Sequence, residues 1–126
     1  MPRMLSPITG GRCTVVAYSK AGAVSVVAGA HRIYNDTGAT QTITSVRASV
    51  GTAPTGASLI VDINKNGSTI FSTQANRPAI SASSNTSGKV TNMNTAAWAD
   101  GEYLTVDCDQ VGSTVPGSDL TVTVTY

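Results

Sequence analysis

Leu59-Ile60-Val61-Asp62-Ile63-Asn64-Lys65-Asn66-Gly67 decides the fold class. Leu59, Val61 and Ile63 recur at every second residue, the period of a strand with one buried face, and Ile60 falls on the other side. Asn66-Gly67 then supplies two residues that tolerate positive φ, the strongest short hairpin signal in the chain. Residues 69–73 read as the returning strand. The same two-residue period recurs toward the C-terminus. Residues 103–111 place Leu104, Val106 and Cys108 on one face, and residues 120–126 do the same with Leu120, Val122, Val124 and Tyr126. Pro116-Gly117 turns the chain between these runs.

Toward the N-terminus the pattern is again strand after strand. Cys13, Val15 and Ala17 alternate with Thr14, Val16 and Tyr18, as in a strand covered on both faces. A turn at Ala21-Gly22 is expected to lead into a strand at 24–28. A further strand at 30–34 ends at Asn35-Asp36-Thr37-Gly38. In residues 41–50, Val46, Ala48 and Val50 share a phase that Ile43 breaks, so a bulge is expected near Thr44-Ser45. Residues 51–56 read as a loop and 81–88 as a polar loop. Pro78-Ala79-Ile80 reads as an edge segment, because proline cannot donate to a central ladder. Residues 94–98 are expected to form a single helical turn. About eight short strands with no helical period predict an all-β fold, an antiparallel jelly-roll-like β-sandwich. Trp98 lies only ten positions before Cys108, which weakens a seven-strand immunoglobulin fold, the open alternative, against its Cys…Trp…Cys order. Residues 12–126 are expected to form this single domain, preceded by an extended N-terminal arm at 1–11. Pro2, Pro7, Gly10 and Gly11 break regular structure there, and Met4, Leu5 and Ile8 offer apolar contacts to a partner.

Composition narrows the function classes. A chain of 126 residues with 40% hydrophobic content suffices for one core. Charged residues make up only 12%, roughly half the usual share, and Ser, Thr, Asn and Gly stand in their place. Such a surface suits docking, since long charged side chains lose entropy when immobilised. Net charge is +1, and the eight Lys and Arg residues are scattered from Arg3 to Lys89. No basic stripe faces phosphates, and one Phe and four Tyr give little to stack on bases, so neither a nucleic-acid nor a membrane partner is expected. No run approaches the ~20 apolar residues of a bilayer span. Residues 1–10 lack the apolar region of a secretory signal. The sequons at Asn35, Asn66 and Asn85 therefore read as turn chemistry, and synthesis in a host cytoplasm is expected.

Few residue groups suggest chemistry. Residues 62–67 match the opening of a calcium loop, but its twelfth position, where a bidentate acid is required, is Thr73. Asp107 and Asp109 share an outward strand face and read as solvated or interface carboxylates. His31, the only histidine, lies in phase with Ile33 and reads as packed or interfacial, without a G-x-S-x-G nucleophile to serve. Cys13 and Cys108 read as small buried hydrophobes. A bridge between them stays open, requiring Cα atoms within about 7 Å. No catalytic, cofactor-binding or metal-ligating residue is assigned. Trp98 with Tyr103 is the one candidate aromatic platform for a sugar, but Trp98 reads more readily as the cap of one end of the sandwich.

The stretch 51–71, GTAPTGASLIVDINKNGSTIF, resembles a β module found in virion proteins of tailed bacteriophages. So do 99–107, ADGEYLTVD, and 109–122, DQVGSTVPGSDLTV. The likeness runs from about residue 26 to the end of the chain. The resemblance implies a jelly-roll-like sandwich and a non-enzymatic role in the particle, as a capsid decoration, minor capsid or tail protein. It carries no catalytic motif. An arm plus one domain suits a small protein added to the outer capsid surface, docked on the major capsid protein as a homotrimer. The alternative implied address is a tail tip or fibre head that binds host-surface glycan, with Trp98 and Tyr103 as its platform.

Overall fold

Asn66 (φ 50°) and Gly67 (φ 88°) both occupy the left-handed region, as the hairpin signal requires. Asn66 also ties its turn to a neighbouring strand. Its N–H donates to the carbonyl of Tyr103 (3.0 Å), and its Oδ1 accepts the Tyr103 N–H (3.1 Å). These features come from a computed structural model that describes residues 12–126. The expected arm, with Met4, Leu5 and Ile8, lies outside the described residues.

Ten strands follow in order: β1 (Thr14–Ala23), β2 (Val27–Tyr34), β3 (Gln41–Thr42), β4 (Ser45–Ser49), β5 (Leu59–Lys65), β6 (Ser68–Thr69), β7 (Ala79–Ile80), β8 (Ala97–Trp98), β9 (Tyr103–Gln110) and β10 (Ser118–Thr125). A 3-10 turn at Gln74–Asn76 precedes β7. All pairings are antiparallel. One sheet has the order β1-β10-β4, a second the order β2-β9-β5-β6 with β7 also on β5, and β3 pairs β8 separately. The pairing is nested. β1 meets β10, β2 meets β9, β4 is bridged to residues 86–90 through Ser49↔Thr86 and Val46↔Val90, and β5 meets β6.

The two larger sheets share one apolar cluster. Leu59, Val61 and Ile63 of β5, Leu104, Val106 and Cys108 of β9, Leu120, Val122 and Val124 of β10, and Val46 and Ala48 of β4 are all buried in it. These are the residues that the two-residue period selects. Their burial is the main driving force for the fold, at about 1.5–3 kcal/mol for each large aliphatic side chain.

Several expectations are corrected. The chain makes ten strands rather than about eight, because four paired segments are only two residues long. Ala21-Gly22 is not a turn. β1 continues through it, with Gly22 (φ 81°) in a register shift between Lys20 and Ala23, and the Gly22 N–H donating to Asp119 Oδ1 (2.8 Å). The strands expected at 24–28 and 30–34 are one, β2. Its pairs with β9 are Val27↔Cys108, Ala30↔Val106 and Ile33↔Leu104, three residues for every two on the partner. Gly29 (φ 65°) and His31 (φ 52°) absorb the extra residues. The run 41–50 is cut at Ile43-Thr44, where the chain leaves β8 and joins β10, and Ile43 is buried at the crossing. Residues 94–98 do not form a helical turn. The carbonyl of Ile70 accepts both the Asn94 and Thr95 N–H groups (2.8 and 3.1 Å), and Ala97–Trp98 extends along β3. Cys13 is exposed while Cys108 is buried, and both are free.

Candidate functional site

The carboxylates are mostly committed to the fold. Asp107 Oδ1 accepts the N–H of Gly29 (2.7 Å), and its Oδ2 accepts Asn64 Nδ2 (2.8 Å), so this acid fastens a bulge of β2. Asp109 pairs with Arg77 at 2.7 Å. Asp62 is buried and accepts Thr69 Oγ1 (2.6 Å) and Gln74 Nε2 (3.2 Å). Asp100 accepts the Gly38 N–H. Glu102 Oε1 accepts the Ala99 N–H (2.7 Å). That bond, ahead of the nearby Lys65 and Asn66 and against some desolvation, holds the Glu102 carboxyl below its ordinary range. The calcium-like residues 62–67 are engaged separately: Asp62 accepts Thr69 Oγ1 and Gln74 Nε2, Asn64 Nδ2 donates to Asp107 and Asn66 Nδ2 to Glu102. Among the described residues no group of three His, Cys, Asp or Glu side chains could hold a metal ion.

The sequon asparagines act as turn chemistry. Asn35 Nδ2 donates to the carbonyls of Ala39 and Trp98, Asn66 Nδ2 to Glu102, and Asn85 Nδ2 to the carbonyls of Val50 and Gly51.

The expected aromatic platform does not assemble. Trp98 is only 2% exposed, its Nε1 donates to the Glu102 carbonyl (3.0 Å), and its ring meets Tyr126 edge-on at 5.4 Å. Trp98 is thus a buried member of the apolar core. Tyr103 instead meets Tyr34 (5.6 Å between centroids) and lies beneath the Arg32 guanidinium, 4.0 Å from its ring centre. Arg32 Nη1 donates to the Tyr34 hydroxyl (3.3 Å), and that bond raises the Arg32 pKa further. His31 is exposed, with its ring edge-on to Tyr18 at 4.9 Å. Burial raises the Tyr18 pKa and pushes the Cys108 thiol up to about 11.

Two surface features had no signal in the sequence. The first is a flank left open by the described residues. β1 and β2 are the outer strands of their sheets and carry Val16 (56% exposed) and Tyr34 (47%), with Val26 (64%) on the turn between them. The second is a cleft of about 550 Å³ at the ends of β1, β10 and β4. Its lining joins two cations, Arg12 and Lys89, to the hydroxyls of Thr14, Thr44, Ser45, Thr91 and Thr125. These residues are scattered along the chain, and only the strand register gathers them. Comparison with protein-family models, with curated proteins and with solved structures finds no match for this chain.

Proposed function

We propose that this chain is a non-enzymatic structural protein of a tailed-bacteriophage particle, a decoration protein that docks on the major capsid protein from outside and stabilises the shell. The observation that carries the reading is the open flank: exposed Val16, Val26 and Tyr34 on and between two adjacent edge strands, on a surface poor in charge. A protein that docks in many copies stabilises a shell by mass action. The use of Asp62, Asp100, Glu102, Asp107, Asp109 and Asp119 as acceptors for turns and loops fits a scaffold better than an acid–base site.

The jelly-roll winding belongs to the same proposal. If residues 86–90 count as a reduced fourth member of the β1-β10-β4 sheet, that sheet has four members facing the β2-β9-β5-β6 path of the other, which carries β7 as a fifth strand, and the nested pairs fit a jelly roll. The homotrimer rests on the resemblance to virion modules and puts the flank between protomers or against the capsid.

Quantitative mass spectrometry of purified particles tests the address. Decoration requires a copy number close to that of the major capsid protein. A copy number typical of tail components favours a glycan-binding tail module, for which Tyr34, Tyr103 and Arg32 offer the aromatic and charged contacts that Trp98 does not. Absence from the particle overturns both readings.

A further inference from the structure

We propose that the cleft at the ends of β1, β10 and β4 binds an acidic sugar, a ring bearing one carboxylate among its hydroxyls. Among the described residues the ionic side chains of the lining are Arg12 and Lys89, both cations. That balance favours an anion. Two cations are too few for the backbone of a nucleic acid, whose binding grows with each phosphate neutralised, so the charge fits a single oxyanion.

The hydroxyls choose the rest of the ligand. Thr14, Thr44, Ser45, Thr91 and Thr125 can each donate and accept, as the hydroxyls of a sugar also do. An apolar ligand would strand them, at a cost for each polar group left unpaired. Two contacts pre-set part of the lining. Thr14 Oγ1 and Thr125 Oγ1 share a hydrogen bond of 2.9 Å, and Thr44 Oγ1 donates to the Thr125 carbonyl at 3.2 Å. Three groups remain uncommitted among the described residues: the Lys89 ammonium and the hydroxyls of Ser45 and Thr91. Ser45 is the telling one. It is only 8% exposed and belongs to the cleft's lining, yet its hydroxyl has no partner among the described residues. A buried hydroxyl of this kind calls for a ligand or water. The volume falls within the ~300–1,000 Å³ of small-molecule sites.

This inference goes beyond the decoration reading, and neither depends on the other: copy number on the particle tests one, and the titration below tests the other. The isotope-labelled full chain is titrated with glucuronate, with glucose and with inorganic phosphate, and amide shifts are followed by NMR. The expected result is saturable shifts at Thr44, Ser45, Lys89, Thr91 and Thr125 with glucuronate, and affinities at least about tenfold weaker for glucose and for phosphate. Lys89→Gln and Ser45→Ala should each weaken glucuronate binding, Lys89→Gln by about tenfold or more, while the remaining spectrum stays that of the folded protein. The proposal is overturned if glucuronate gives no saturable shift or shifts elsewhere. Equal binding of glucose, equal binding of phosphate, or indifference to Lys89→Gln overturns it as well.

Discussion

Asn35→Asp exchanges one side-chain nitrogen for oxygen and leaves the shape unchanged. Asn35 is buried at the end of β2. Its Nδ2 donates to the carbonyls of Ala39 (2.9 Å) and Trp98 (2.6 Å), and its Oδ1 accepts the N–H (2.9 Å) and hydroxyl (2.7 Å) of Thr37. One side chain thus joins β2, the following turn and the strand that carries Trp98. In the variant an acceptor oxygen faces two carbonyls. Each acceptor left unsatisfied costs about 1–3 kcal/mol, and an ionised carboxylate there adds desolvation. A loss of about 3–5 kcal/mol at neutral pH is expected, a large part of the ~5–15 kcal/mol that holds a typical domain.

Acid should recover part of that loss. A buried carboxyl with one oxygen against two carbonyls has its folded-state pKa raised above the unfolded value. Its protonated form is the one the fold tolerates, so stability is higher below the unfolded pKa and is lost as pH rises through the folded pKa. The protonated acid also regains one donor toward the carbonyls. Urea unfolding followed by fluorescence of Trp98, the only tryptophan, reads this directly. A destabilisation under about 1 kcal/mol, or a gap to wild type that does not narrow in acid, would refute the role given to Asn35.

Two further outcomes are expected. The Cys108 thiol, raised from 9.0 to about 11 by burial, favours its protonated form in the folded state. Stability should hold below pH 9 and fall toward pH 11 by about 2–3 kcal/mol. Urea midpoints across that range should fall less steeply for Cys108→Ala, and parallel curves would contradict the burial argument. Gly112→Ala puts a Cβ against the carbonyl of Val115, 2.8 Å from that of Thr55 and 2.9 Å from Pro54 Cβ. Most of this obstruction is backbone that cannot swing aside, so a loss of about 1–3 kcal/mol in thermal or urea unfolding is expected, and an unchanged midpoint would show that the 112–115 loop yields freely.

The legible parts of the fold are those where one local rule acts alone. The inward apolar residues of β5, β9 and β10 fall at every second position, and the Asn66-Gly67 turn needs only two tolerant residues. The sequence pattern splits β2 into two strands because Gly29 and His31 give it an inward spacing of three, at Val27, Ala30 and Ile33, which matches neither the strand nor the helix period. The acceptor that steadies this arrangement, Asp107, lies far along the chain. Trp98 was open to two readings because its burial depends on partners outside its own strand, the Glu102 carbonyl and Tyr126. The cleft had no local signature at all. Threonine in a strand looks like a β former, and only the register of Thr14 with Thr125, and of Thr125 with Ser45, turns such residues into a lining.

The flanks of the two sheets argue for a particular manner of docking. On one side β4 is bridged to residues 86–90, and β5 is covered by β6 and β7. On the other side β1 and β2 are, among the described residues, the terminal strands, the position at which a second chain extends a sheet. Both strands are irregular. β1 shifts register between Val16 and Tyr18 and again between Lys20 and Ala23, and β2 shifts twice within eight residues. An incoming strand would find its hydrogen-bonding partners out of step, which is how bulges blunt an edge against indiscriminate pairing. The side chains on this flank meet no such obstacle. Val16, Val26 and Tyr34 remain exposed beside backbone that discourages strand addition. On the proposed reading, the partner is therefore recognised through side-chain packing, and the same irregularity that hid β2 in the sequence keeps the flank from joining strands with the wrong chain.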